Sequence, residues 1–536
     1  MNEGLGQKAN KLSRIYKNMR YFRDSSADDT RCDFSKDKDR IIFSKAFRRL
    51  GHKTQVYTHT KGDHYRTRLT HTLEVAQIAQ SIAKMLNVNV ELCLAIAYGH
   101  DVGHAPFGHE GERVLNRIMT GRDDLGGVIK LCFNHGGFKH NYNALRVLSK
   151  IEKKYPENMD KNIGMNLTWE TMEGILKHTQ IKNKANKCIC NIEKYLHLYK
   201  NYFIEGGIDL LCYDHSVTLE GQIVAIADEI AQRQHDLDDG FMDDGLGIQL
   251  NDFIDNLRLK LNVLIKSDSP DLKNNQQSMC DDLKKIQDSL NNGIDMLLAQ
   301  DLIIRWVLNY MIHDVNLYFK DRFHGRELTG FHFKGKKCFS EKCIDFSPFG
   351  KEVSNHVADF ISTEIVNSYE VNSQDGKAMY IIRNLFKAYH NNPRQMPKYV
   401  LENIYRKIRK TSENYGSLSF ISEYVREENI YKIKKRELNK LIAILRLNKE
   451  AFDDEYFTKH LSHEDESNFP KKIMEYLGKY KRNSGKIVDP SEEDLTNDEK
   501  FIYAINHHYI FEICDYISGM TDNYCLSEYK KLFQVN

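Results

Sequence analysis

The sequence predicts an all-α protein with small β-hairpin elements, and three observations carry that expectation. Only 8 prolines fall in 536 residues, so long helices meet few interruptions. Apolar residues return at alternating steps of three and four in several segments, the period of a helix with one buried face. Strand-like alternation is short and local, as in GFHFKGKKCF at 330–339.

Along the chain, residues 1–35 are polar and charged and read as a partly ordered arm. Residues 36–240 read as a core region. In it DRIIFSKAFRRLGHKTQVYTHT is a short helix feeding a β-like stretch, and KGDHYRT is the turn into the next helix. HTLEVAQIAQSIAKML (71–86) places Val75, Ile78, Ile82 and Met85 on one helical face. ELCLAIAYGHD (91–101) is nearly all apolar and predicts a short helix buried on most sides. Helical patterns continue at 166–179 and 219–233. Residues 241–375 read as a peripheral or inserted, mostly helical region, in which the polar stretch 266–283 is expected to be a surface loop or linker. Residues 376–536 form a C-terminal helical region expected to complete the core. It contains another polar stretch at 480–499, before FIYAINHHYIFEICDYISGMTDNYCL returns to a helical pattern.

Charged residues make up 28% of the chain and the net charge is +2, so no global case exists for nucleic acid or an anionic membrane. The first twenty positions lack the apolar stretch of a signal peptide, and no window approaches the roughly 18 apolar residues of a membrane span. The expectation is a cytoplasmic protein without a membrane partner. Its 11 scattered cysteines suit reduced thiols. The close pairs Cys188-x-Cys190 and Cys338-x4-Cys343 lack partners for a four-ligand zinc site.

Residues 98–112, YGHDVGHAPFGHEGE, crowd titratable groups against an apolar run. His100 and Asp101 end the buried 91–101 segment. His71 lies four residues before Val75, on the apolar stripe of its helix, and Asp228 lies four after Val224 and three before Ala231, again facing inward. An unpaired aspartate on such a face costs on the order of several kcal/mol, so it needs a partner. One divalent cation would satisfy all four groups, and two histidines with two carboxylates suit Mn2+, Mg2+, Fe2+, Co2+ or Zn2+. The alternative is four unrelated roles, core histidines and capping or ion-paired aspartates, which would have to hold at all four positions together.

The order His71, His100-Asp101, Asp228 resembles the H…HD…D metal pattern of the HD-domain phosphohydrolase superfamily. Its surroundings are more specific. GDHYRTRLTHTLEVAQIA, GHDVGHAPFGHEGE, NLTWE, EGILKHT, ADEIA…HDLDDG and ISGMTDNYCLSEYKKLF resemble the deoxyguanosine triphosphate triphosphohydrolase family. The likeness covers 36–240 and the C-terminal segment, and is thin between 241 and 500. It implies a helical HD core with peripheral helical insertions and metal-dependent attack of water on the α-phosphorus of a deoxynucleoside triphosphate. The products would be deoxynucleoside and inorganic triphosphate. By the same resemblance His109 transfers a proton at the reacting phosphate, with Glu112 one helical turn on to orient it. Arg68, His104 and His140 line the phosphates, and Gln55 and Asp236 contact the deoxyribose 3′-hydroxyl. The family further suggests a homo-oligomer, commonly a hexamer, and a regulatory nucleotide in some members.

One departure stands out: four residues after Asp228, where relatives carry a tyrosine beneath the sugar, this chain has Gln232. Deoxy-versus-ribo discrimination and base preference are therefore left open. Two other readings compete. One is a different HD-type phosphohydrolase, a nucleotidase or signalling-nucleotide hydrolase. The other is a non-catalytic nucleotide- or nucleic-acid-binding regulator, for which YRKIRK (405–410) and YKIKKRELNK (431–440) are basic helices able to meet a single strand.

Overall fold

The computed structural model describes residues 31–55, 66–129, 134–152, 164–182, 203–242, 250–262, 270–323, 328–415 and 497–534, with single positions at 246 and 326. Among these the protein is all-α, with sixteen α-helices and two small antiparallel hairpins. In chain order the first elements are α1 (Asp33–Ile42), α2 (Lys45–Arg49), α3 (Arg68–Leu86), α4 (Val90–Gly99), α5 (Gly108–Met119), α6 (His140–Arg146) and α7 (Trp169–Lys177). The hairpin β1 (Ile204–Glu205) and β2 (Ile208–Asp209) follows, then α8 (Leu219–Phe241), α9 (Leu250–Asn262), α10 (Pro270–Asn291) and α11 (Met296–Phe323). After the hairpin β3 (Phe331–Phe333) and β4 (Lys336–Cys338) come α12 (Pro348–Phe360), α13 (Tyr369–Asn391), α14 (Lys398–Tyr415), α15 (Asn497–Ser518) and α16 (Asp522–Phe533).

Packing divides the chain into two compact units, residues 1–108 with 140–376, and residues 109–139 with 377–536. The 241–375 region thus groups with the segment that carries His71, His100 and Asp228, whereas 109–139 groups with the C-terminal helices.

In the first unit, α4 is the central helix. It is apolar on nearly every side, as Leu92, Cys93, Ala95, Ile96 and Ala97 are fully buried, and it packs against α1, α3, α7 and α8. Side chains set the helix starts. Thr67 caps α3 in a reciprocal capping box with Thr70, Asn89 accepts from Leu92 N at the start of α4, and Thr218 accepts from Gly221 N at the start of α8. Thr168 caps α7 while donating to Asp37 of α1 at 2.7 Å, which ties the NLTWE stretch to the first helix. Glu173 of α7 holds Lys177 at 2.9 Å and accepts from Ser216 Oγ at 2.5 Å and Val217 N at 3.1 Å, so the approach to α8 is fixed from within.

Several expected boundaries move. The helix expected from 71 begins at Arg68, because the Thr67 cap starts it one turn earlier. The 91–101 helix ends at Gly99, leaving His100 as its C-cap and Asp101 in the following turn. The 219–233 helix runs on through HDLDD to Phe241, and Asp236, Asp238 and Asp239 are buried. The loop expected over 266–283 is replaced, from Pro270 onward, by α10. Met279, Leu283 and Ile286, spaced four and three apart, supply the buried stripe that packs on α11 despite the polar composition. The strand expected at 330–339 is a hairpin turning at Lys334 and Gly335, both at positive φ (45° and 80°). The β-like stretch after Gln55, most of KGDHYRT, Cys188, Cys190, YKIKKRELNK and most of 480–499 lie outside the described residues.

Within the second unit α14 packs along α15. Arg383 of α13 grips Asp123 through Nε at 2.8 Å and Nη2 at 2.9 Å. YRKIRK lies in α14, where Tyr405 and Ile408 are buried and Lys407 pairs with Glu512. No helix among the described residues is long and apolar enough to cross a membrane.

Candidate metal centre

Four donors meet where α3, the end of α4 and the middle of α8 approach one another. His71 Nε2 lies 3.0 Å from Asp228 Oδ1 and 3.9 Å from Asp101 Oδ2. His100 Nε2 lies 3.5 Å from Asp101 Oδ1 and 3.7 Å from Asp228 Oδ1. Each imidazole therefore faces both carboxylates, and His71, His100 and Asp101 are all buried.

The surroundings fix how each donor presents itself. His100 Nδ1 donates to the Ala97 carbonyl at 2.6 Å, which leaves Nε2 with its lone pair towards the cluster. That Nε2 is buried and has no hydrogen-bond partner. Asp101 accepts from Arg68 Nη1 at 2.8 Å, and His104 Nε2 lies 3.1 Å from its other oxygen. Burial alone would raise the Asp101 pKa, but the His100 and His104 imidazoles and the Arg68 guanidinium hold it well below the usual carboxylate range. At Asp228 burial is likewise overcome, here by the His71 hydrogen bond and by His100, so its pKa is also depressed. Burial pulls His71 down, while its bond to Asp228 and the nearby carboxylate charges push it up. Two ionised carboxylates and two imidazoles, one with an orphaned buried nitrogen, form a donor set that a single divalent cation satisfies.

A row of imidazoles adjoins this centre through Asp101. His104 stacks on His140 with centroids 3.9 Å apart and planes 14° apart. His140 Nε2 lies 3.1 Å from His178 Nε2, and His178 Nδ1 donates to Ile175 O at 2.7 Å. The His178 ring stands 5.1 Å from that of His100. Burial, with the neighbouring His100 and His140, lowers the His178 pKa to about 3, so its ring stays neutral. Gly103 makes the row possible: a Cβ there would stand 2.1 Å from the His140 carbonyl oxygen and 2.2 Å from Ala144 N.

The other residues singled out from the sequence are placed as follows. Arg68 is 1% exposed, and its Nε and Nη2 are buried without a hydrogen-bond partner. Gly108, at φ +61°, passes beside it, and a Cβ there would come within 3.2 Å of Nη2 and 3.3 Å of the Gln55 carbonyl oxygen. Gln55 and Asp236 are buried, and each keeps an oxygen, Oε1 and Oδ1, without a hydrogen-bond partner. Burial and the charge of Asp239 push Asp236 up to about 7. Gln232 is half-buried on α8. His109 and Glu112 sit on the first turn of α5 in the second unit, with ligating atoms within 4.8 Å of each other. His109 is exposed and Glu112 half-buried.

Sequence reasoning missed three side chains. His178 lay within the quoted EGILKHT, but a single histidine on an apolar helix reads as core. His235 follows Asp228 by seven residues, and Glu74 follows His71 by three, so helical spacing alone put each on the face of its neighbour. Arg66 is largely buried and pairs with Asp238 and, at 2.9 Å, with Asp239.

Residues 68–232 match the HD domain family, a span that begins at Arg68 and contains all four donors. A helical core with histidine and aspartate donors at the ends and middles of three helices is that of an HD-domain phosphohydrolase. The chain is 32% identical over 397 residues to a deoxyguanosinetriphosphate triphosphohydrolase-like protein of Geobacter metallireducens, covering 74% of this chain and 85% of the relative. A protein of the same description from Bartonella quintana is 33% identical over 370 residues, 69% of this chain and 80% of the relative. One from Nitrobacter hamburgensis reaches 45% over 218 residues, 39% of this chain and 48% of the relative. The chain belongs to the deoxyguanosinetriphosphate triphosphohydrolase-like family.

Proposed function

We propose that the chain is a metal-dependent deoxynucleoside triphosphate triphosphohydrolase acting on dGTP, or on dNTPs more broadly. Water adds to the α-phosphorus, the bond from phosphorus to the 5′ oxygen breaks, and inorganic triphosphate and deoxynucleoside leave. The observation that carries this reading is the convergence of His71, His100, Asp101 and Asp228, with His100 Nε2 buried and lacking a hydrogen-bond partner. Bound by these four, a divalent cation would polarise the phosphoryl oxygens and acidify water.

The chain's own residues supply the rest. Arg68 spends Nη1 on Asp101 and offers Nε and Nη2, two N–H groups of a planar fork, to phosphate oxygens. His104 and His140 form one wall of the phosphate site, with neutral His178 behind them. Gln55 Oε1 and Asp236 Oδ1 are acceptors without partners, which suits the hydroxyl proton of a deoxyribose. His109 gives its proton to the departing 5′ oxygen, and Glu112 holds the imidazole in the tautomer that does so.

The test incubates metal-loaded protein with each dNTP and rNTP and separates the products by ion-exchange chromatography. Triphosphate and deoxynucleoside in equal amounts are expected. Orthophosphate or pyrophosphate in place of triphosphate overturns the assignment, and orthophosphate from monophosphates would mark a nucleotidase instead.

A further inference from the structure

Behind His71, on the side away from the other three donors, α3 and α8 bury another histidine. His235 is fully buried, and its Nδ1 lies 3.0 Å from Nδ1 of His71, with the two rings edge to face at 78°. Its other nitrogen, Nε2, meets Glu74 Oε2, and Arg66 Nε stands 3.5 Å from the same carboxylate oxygen.

Proton counting orders this chain. Two ring nitrogens at hydrogen-bond distance share one proton, since two N–H groups would repel and two lone pairs would not bond. The Glu74 carboxylate oxygen, with the Arg66 guanidinium beside it, accepts, so His235 carries its proton on Nε2 and a lone pair on Nδ1. His71 then supplies the proton between the two rings from its own Nδ1. His71 Nε2, now hydrogen-bonded to Asp228 at 3.0 Å, is then the nitrogen whose proton a cation would replace, turning its lone pair to the centre while Nδ1 keeps its own proton. The two helices share the work alike. α3 provides the donor His71 and, one turn on, Glu74; α8 provides Asp228 and, two turns on, His235.

We infer that His235 and Glu74 are positioning residues that set the tautomer and orientation of His71 towards a divalent cation. This rests on the metal-centre reading above. Groups hydrogen-bonded behind a ligating histidine are typically worth ~10–100-fold in metal affinity.

The experiment measures Mn2+ affinity of the full chain, without substrate, by competition with a chromophoric chelator. Wild type is compared with His235→Leu, His235→Asn, Glu74→Ala and the ligand variant Asp228→Ala. His235→Leu should weaken binding ~10–100-fold, because the apolar side chain strands the His71 Nδ1 proton. His235→Asn should recover most of the loss, since its side-chain carbonyl can accept that proton. Glu74→Ala should show a smaller loss in the same direction. A folded His235→Leu that binds Mn2+ like wild type, or an Asn variant no better than Leu, overturns the inference. If His235→Leu fails to fold by circular dichroism, half-exposed Glu74 decides, and unchanged affinity in Glu74→Ala overturns it. Wild type that binds no Mn2+, or an Asp228→Ala that binds as well as wild type, removes the metal centre itself. Loss in Asp228→Ala with no change in the relay variants removes only the relay.

Discussion

At His100, the bond from Nδ1 to the Ala97 carbonyl commits one nitrogen to the helix end and leaves the other bare among carboxylates. No hydrogen bond satisfies that nitrogen, which supports the proposed ligand role over that of a satisfied core histidine. His109 lies on another helix, and the proposed function gives it proton transfer rather than metal binding. The two roles separate in variants. His109→Ala should keep its metal after dialysis while turnover falls ~10²–10⁴-fold, the usual worth of a positioned acid or base. Asp228→Ala should lose metal, and a fully loaded Asp228→Ala in metal analysis would remove that residue from the ligand set. The convergence of the four was legible in the sequence: Val75 frames His71, Val224 and Ala231 frame Asp228 at helical spacing, and His100-Asp101 closes an apolar run. His235, Glu74 and His178 were not. Their significance lies in contacts across helices, and one-dimensional spacing reports only neighbours on the same helix.

At the scale of an element, α7 carries a buried carboxyl whose state depends on pH. Both oxygens of Glu170 are buried without a hydrogen-bond partner, and burial pushes its pKa up to about 8 against the pull of Lys336. The folded state therefore binds a proton that the unfolded chain, with a carboxyl near its ordinary 4.5, releases earlier. Stability contributed at this position is full at acid pH and is lost as pH climbs from about 4.5 through about 8, by at most ~1.4 kcal/mol per pH unit. Glu170→Gln removes the titration. Its thermal midpoint should equal or fall slightly below wild type at pH 5 and exceed it at pH 8.5, and parallel pH profiles for the two proteins would refute the account. Elements were legible where an apolar stripe ran unbroken, as in α3 and α4. α10 was not, since Met279, Leu283 and Ile286 are diluted by a polar composition that reads as loop. The burial of the acidic run at the end of α8 has a cause outside its own spacing: Arg66, distant in sequence, pairs with Asp238 and Asp239.

At the scale of the molecule, three helices of the first unit must be brought together before any ion can bind, so occupancy stabilises the assembled fold. A site holding ligand at ~100 times its Kd adds about 2.7 kcal/mol to unfolding. EDTA should lower the thermal midpoint and Mn2+ should restore it in a concentration-dependent way; a midpoint indifferent to both counts against the centre. The sequence conveys less at this scale. The stretch 98–112 looks like one motif, yet packing assigns residues up to Gly108 to the first unit and His109 onward to the second, a division decided by partners hundreds of positions away.

The hydrogen bond between Arg68 and Asp101 joins a group assigned to the substrate's tail to one assigned to the ion. That bond would gear the two sites together, since an ion whose radius shifts Asp101 would also tilt the guanidinium bonded to it. In the proposed function the choice of cation would therefore reach the grip on the nucleotide as well as the speed of bond cleavage.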